Sequence, residues 1–196
     1  MLFSVTRFTE DCLRSVTLDS LTSIASQGGY KEPREYFYTG EEKIPFLYYN
    51  KSKKFLSLKE IEAEISSAIK EKVPDCNFSR LGIAPNYNKM KVKTRIEEKV
   101  YVELSLPVTF KTKEKMIKKE KFDIMIDYDF FKLYETASMI ASEDLSKIDE
   151  ILKQKDLSLQ IVPVTENTYI YILIDDSKEA HALFNNSFTF KFAIQK

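Results

Sequence analysis

Along the first 27 residues apolar side chains return at helical spacing. Phe8, Cys12 and Val16, with Leu13, Leu21, Ile24 and Ala25, form a broad stripe that predicts a helix from about Val5 to Gln27. Gly28 or Gly29 suits the left-handed position that ends a helix, because glycine has no side chain to clash there, and Tyr30 can fold back onto the helix end. The periodicity is then lost over residues 30–56. Pro33 and Pro45 argue against regular strand pairing and Gly40 permits a turn. The aromatics Tyr30, Tyr36, Phe37, Tyr38, Phe46, Tyr48 and Tyr49 predict an irregular segment that packs on the domain, since a disordered linker is poor in such residues.

A second helix is announced by Ser57 and Glu60, which match the capping box S-x-x-E, with Leu56 and Ile61 placed as a hydrophobic staple. Leu58, Ile61, Ile65, Ala68, Ile69 and Val73 form its buried face and Pro74 ends it. The period then drops to two. Met90, Val92, Thr94 and Ile96 alternate with polar partners, Glu97 to Lys99 make a hairpin turn, and Val100 to Phe110 and Phe122 to Tyr128 continue the alternation as a meander. A helical pair follows, with Phe130, Leu133, Ala137 and Ile140, then Leu145, Ile148, Ile151 and Leu152. Leu157–Val164 and Thr168–Ile174 form a second hairpin. Its latter strand is apolar on both faces and therefore central. A last strand, Ser187–Ile194, turns Phe188, Phe190, Phe192 and Ile194 inward. The order ααβββααβββ predicts an α+β fold, an antiparallel sheet of about six strands in two three-stranded groups with helices on one face. Residues 1–29 form the N-terminal helix and residues 30–196 a single domain.

The 196 residues suffice to bury a core without metal support. Thirty basic residues balance thirty acidic ones, which removes the usual electrostatic ground for a nucleic-acid partner. No run of eighteen apolar residues occurs, and the N-terminus is too polar for a signal peptide. Nucleotide-binding glycine motifs are missing, so no cofactor is expected. The one histidine, His181, lies between the last two strands and reads as a surface loop residue, with no nucleophile elbow to accompany it. Asp123, Asp127 and Asp129 share the polar face of one strand. With Asp175 and Asp176 they could ligate a hard cation, although alternating aspartates also describe any half-solvated strand. Lys111 to Lys121 holds six lysines, a basic patch or a guard against edge pairing. Three of the seven asparagines, Asn50, Asn77 and Asn185, sit in N-glycosylation sequons. Cys12 and Cys76 are either a bridge between the first two helices or two buried thiols.

The stretches "DCLRSVTLDSLTSIASQGGY", "IPFLYYN", "LKEIEAEISSAI" and "VPDCNFS" resemble a group of small archaeal membrane-anchored proteins of unassigned function. In that group a hydrophobic membrane segment leads into a helix with Cys-Leu and then Gln-Gly-Gly-Tyr, and a later helix ends in Pro-x-Cys. The resemblance implies a Cys12–Cys76 disulfide, an outward-facing domain, and residues 1–29 as the stub of an anchor. The resulting expectation is a non-catalytic extracytoplasmic domain of a cell-surface or envelope protein. It would bind protein or glycan through Tyr30, Tyr36, Tyr38, Tyr48 and Tyr49, and contact the membrane only through a segment absent from this chain. The competing expectations are a soluble cytoplasmic ligand- or metal-binding domain, with or without enzymatic activity, and a nucleic-acid-binding module.

Overall fold

The computed structural model describes residues 2–111, 116–142 and 148–196. Helix α1 (Leu2–Ser26) buries Val5, Leu13, Val16, Leu21, Ile24 and Ala25. Thr9, Thr17 and Ser20 are buried between them. Each hydroxyl donates to the carbonyl four residues earlier, at 2.8, 2.7 and 2.7 Å, so no polar atom is left unsatisfied against the core. This is why the apolar stripe understates the buried face, while Phe8 and Cys12 are only half-buried. The helix stops as a Schellman motif: Gly29 N–H donates to the Ile24 carbonyl (2.9 Å) and Gly28 N–H to the Ala25 carbonyl (3.0 Å), with both glycines at positive φ.

Segment 30–56 departs from its irregular expectation. It forms β1 (Tyr36–Tyr38), β2 (Lys43–Tyr49) and β3 (Ser52–Lys53), with β1 and β3 each antiparallel to β2. Pro45 lies inside β2. Pairing with the C-terminal strand begins only at Phe46, so the missing N–H falls ahead of that ladder. Helix α2 (Leu58–Lys72) carries the expected capping box and continues into a short 3₁₀ turn, Val73–Asp75, at the proline.

Beyond α2, a two-residue strand β4 (Ala84–Pro85) precedes β5 (Lys91–Ile96), β6 (Val100–Lys111) and β7 (Met116–Ile126). Strand β6 is central, with β7 along one edge and β5 and β4 along the other. Then come α3 (Phe131–Ala141), α4 (Ile148–Gln154), β8 (Leu157–Thr165), β9 (Thr168–Asp175), α5 (Lys178–Phe184) and β10 (Phe188–Gln195). Leu145, expected at the start of the second helix of this pair, lies outside the described residues. The order β1-β2-β10-β9-β8 makes a six-stranded sheet with β3 on β2, and β2 runs parallel to β10.

The fold is therefore α+β, with five helices and ten strands among the described residues. Both three-stranded groups form, but in separate sheets, and one of those sheets is mixed rather than antiparallel. Helix α1 lies against both, touching β7 and β10 as well as α2. Arg14 donates to the Met125 carbonyl (3.1 Å), and Lys119 to the Thr6 hydroxyl (2.9 Å). One continuous core joins the helices to both sheets. A smaller apolar cluster of Ile44, Phe46, Ile170 and Ala193 lies apart from it, because β9 is apolar on both faces.

Candidate functional site

The β1–β2 hairpin sorts its side chains by parity. Phe37, Ile44 and Phe46 turn to the small apolar cluster. Tyr36, Tyr38, Lys43 and Pro45 share the other face, where Gly28 packs so close that a Cβ would stand 2.8 Å from Pro45 Cγ. Tyr36 and Tyr38 are 38% and 59% exposed, and the Lys43 ammonium lies 5.0 Å from the centre of the Tyr36 ring. The five tyrosines expected to act together are thus divided. Tyr48 and Tyr49 are half-buried, the latter with its ring tilted against Phe46 at 4.7 Å between centroids. Tyr30 is half-buried and its hydroxyl donates to the Lys54 carbonyl. Burial, followed by the nearby charges of Glu60, Glu35 and Glu64, pushes the Tyr30 phenol up to about 12.

Three cavities meet around this hairpin. The largest, about 860 Å³, is lined by Gln27, Lys31, Glu32, Arg34, Lys43 and Glu64 among others. A second of about 440 Å³ shares Gln27 and Lys43 with it and adds Tyr38, Glu41 and Glu42. A third of about 390 Å³ shares Glu32, Arg34 and Glu64 and adds Tyr30 and Glu35. They form one open, mostly polar trough between the end of α1, the exposed flank of α2 and the hairpin. Two features stand out in its lining. The Gln27 Oε1 atom is buried without a hydrogen-bond partner, an acceptor that lacks a donor. The Lys31 N–H donates to Glu64 (3.1 Å) and its ammonium to Glu71, which holds that amine above its usual range and fixes the trough wall.

The other candidate residues do not converge. Asp123 stands on the exposed face of β7 opposite Glu103, among Lys91, Lys93 and Lys121. Asp127 pairs with Lys99 at 2.9 Å, and Asp129 accepts the Lys132 N–H at 3.2 Å. Asp176 is exposed and Asp175 is fully buried. Among the described residues no group of three or more acidic, histidine or cysteine side chains is arranged to hold a metal ion. His181 is not in a loop but on α5, exposed, with Nε2 3.9 Å from Asp176 Oδ1. Of the lysine-rich tip, residues 112–115 lie outside the described residues; Lys118 pairs with Glu120, and Lys119 spans to α1. Cys12 and Cys76 are joined, Cα to Cα 6.2 Å, tying α1 to the turn after α2.

Sequence reasoning missed the buried ionic knot around Asp175. Its carboxylate receives the Lys132 ammonium at 2.6 Å, the Tyr128 hydroxyl at 2.7 Å and the Ser177 N–H at 3.0 Å. Burial alone would push this carboxyl up; the hydrogen bonds from Lys132, Ser177 and Tyr128 outweigh it and leave it below the usual carboxylate range. The same arrangement raises the Tyr128 phenol, through burial first and then the Asp175 charge. The residues of this knot line none of the three trough cavities, and it joins the end of β9 to α3 and α5. Its chemistry is that of a structural clamp. No described helix is long and apolar enough to cross a membrane. Compared with known proteins, the chain matches no family model, no curated protein and no solved structure.

Proposed function

We propose that this chain is the extracytoplasmic binding domain of a membrane-anchored cell-surface or envelope protein, and that the trough around Gln27 takes a glycan or a polar protein segment. The observation that carries the reading is the meeting of two open cavities at Gln27 and Lys43, beside two exposed tyrosines. Arg34, Lys43, Glu32 and Glu64 offer both signs of charge along the walls, and tyrosine gives rigid contact area with a polar tip. The Cys12–Cys76 bond supports the placement, because disulfides persist outside the reducing cytosol. The likeness of the "QGGY" and "PDC" neighbourhoods to archaeal membrane-anchored proteins supports the anchor.

The test is a binding screen of the protein against immobilised oligosaccharides and against peptides of cell-envelope proteins. For any ligand found, the double variant Tyr36→Ala/Tyr38→Ala and the single variant Gln27→Leu should each weaken binding roughly tenfold or more, the size of effect expected for central contact residues. Their thermal unfolding should stay near that of the wild type. A ligand whose affinity ignores all three substitutions would place recognition elsewhere on the molecule. Tyr48 and Tyr49, half-buried in the hairpin, should instead cost stability when replaced by serine.

A further inference from the structure

We propose that Asn77 is the residue of this chain that carries an N-linked glycan; the inference rests on the extracytoplasmic placement above. Seven asparagines occur, and only Asn50, Asn77 and Asn185 have a serine or threonine two positions on. All three are exposed, so exposure does not choose between them. Backbone conformation does. Asn50 and Lys51 both have positive φ, 51° and 58°, as the central pair of the two-residue turn between β2 and β3. Asn185, at φ 57°, is the left-handed cap of α5. At both positions the left-handed backbone is itself reason enough for an asparagine, the residue besides glycine that adopts it most readily.

Asn77 has no such reason. Its φ of −74° and ψ of 69° are open to any residue. It is the central residue of an inverse γ-turn, closed by the Phe78 N–H donating to the Cys76 carbonyl at 2.7 Å. That turn follows directly on the disulfide and throws the Asn77 side chain outward, with Phe78 buried behind it. The Ser79 hydroxyl donates to Asn77 Oδ1. A donor on the amide oxygen stabilises the imidate-like form in which the nitrogen lone pair is available. This is what the chemistry requires of an otherwise non-nucleophilic amide, and neither Asn50 nor Asn185 is described with an equivalent contact. None of the three lines the trough, so a glycan on Asn77 does not occupy the proposed binding site.

The donor class is a glycan joined through phosphate to a polyprenyl lipid. Asn77 Nδ2 attacks the anomeric carbon, the C–N bond forms as the C–O bond to phosphate breaks, the lipid phosphate leaves, and the amide loses one proton to a transferase base. No oxidant or reductant is needed.

The experiment is peptide mapping by mass spectrometry of the full-length protein from its native cells, with free thiols alkylated before any reduction. The expected result is a mass increment of whole monosaccharides on the Asn77 peptide, recovered with the Cys12–Cys76 linkage intact. The increment should vanish in Asn77→Gln and in Ser79→Ala and survive in Ser79→Thr, each variant retaining its disulfide. A bare Asn77 in disulfide-bonded protein would overturn the glycan assignment and leave the placement standing. A bare Asn77 with both cysteines alkylated would overturn both. Glycan found only on Asn50 or Asn185 would also overturn the choice of Asn77.

Discussion

Removing the Asp175 carboxylate would leave the Lys132 ammonium and the Tyr128 hydroxyl facing one another in the interior, where the lysine side chain is 15% exposed and the aspartate 0%. An uncompensated buried charge costs far more than the net worth of the pair, so Asp175→Ala should lower the unfolding free energy by about 3–5 kcal/mol. The double variant Asp175→Leu/Lys132→Met should recover a large part of that loss in urea melts. If the double variant loses as much as the two singles together, the knot does not act as a pair. The pH dependence follows from the same contacts. The folded Asp175 carboxyl lies below its unfolded value of about 3.9, so its contribution is complete above that pH and is lost as pH falls through the depressed folded value. Tyr30 acts at the other end. Its folded phenol is raised to about 12 against about 10 unfolded, so its contribution is complete below pH 10 and lost as pH rises towards 12. Acid and alkaline melts should show both limbs, and Tyr30→Phe should shift only the alkaline one. Little of this was legible beforehand. "DD" at 175–176 reads as a pair of cation ligands, and nothing near it in sequence names Lys132 or Tyr128; the partners meet only through tertiary packing.

Gly28 and Gly82 have nearly the same positive φ, 57° and 64°, in different surroundings. A Cβ on Gly28 would stand 2.8 Å from Pro45 Cγ and 2.9 Å from the Lys191 carbonyl oxygen, a backbone atom of β10 that cannot yield. A Cβ on Gly82 meets nothing within 4 Å. Gly82→Ala should therefore cost only the left-handed backbone penalty, about 1–2 kcal/mol. Gly28→Ala should cost that plus an overpacking cost of about 1–3 kcal/mol. Equal losses in the two melts would show that β2 and β10 are not pressed against the helix stop. The contrast also explains which elements could be read in advance. The Schellman stop, the capping box of α2 and the alternation of β5, β6 and β7 are written in neighbouring residues. β2 was hidden because Pro45 speaks locally against a strand, whereas its partner β10 lies at the far end of the chain. α5 was hidden because seven residues are too few to establish a helical period; the structure is what shows Ser177 as its N-cap and Asn185 as its left-handed end.

The disulfide constrains how α1 is held. Without it, α1 depends on its packing against α2, β7 and β10 and on a few polar contacts, Arg14 to the Met125 carbonyl and Lys119 to Thr6 among them. The Cys12–Cys76 bond closes a loop with a sequence separation of 64 and removes the corresponding freedom from the unfolded chain. That restriction is worth about 4 kcal/mol in the chain-entropy account. With an m-value near 2 kcal/mol/M in urea, the reduced protein should unfold at a midpoint lower by about 2 M, with the transition still cooperative. The variant Cys12→Ala/Cys76→Ala should match reduced wild type, since neither carries the constraint. Because the stabilisation acts mainly on the unfolded state, the folded trough around Gln27 should bind any ligand with unchanged affinity once the reduced protein is folded. A midpoint shift of only a few tenths molar would mean that α1 is seated by packing alone. Loss of binding in folded, reduced protein would mean that the bond shapes the trough itself, through α1, whose C-terminal stop presents Gln27 to it.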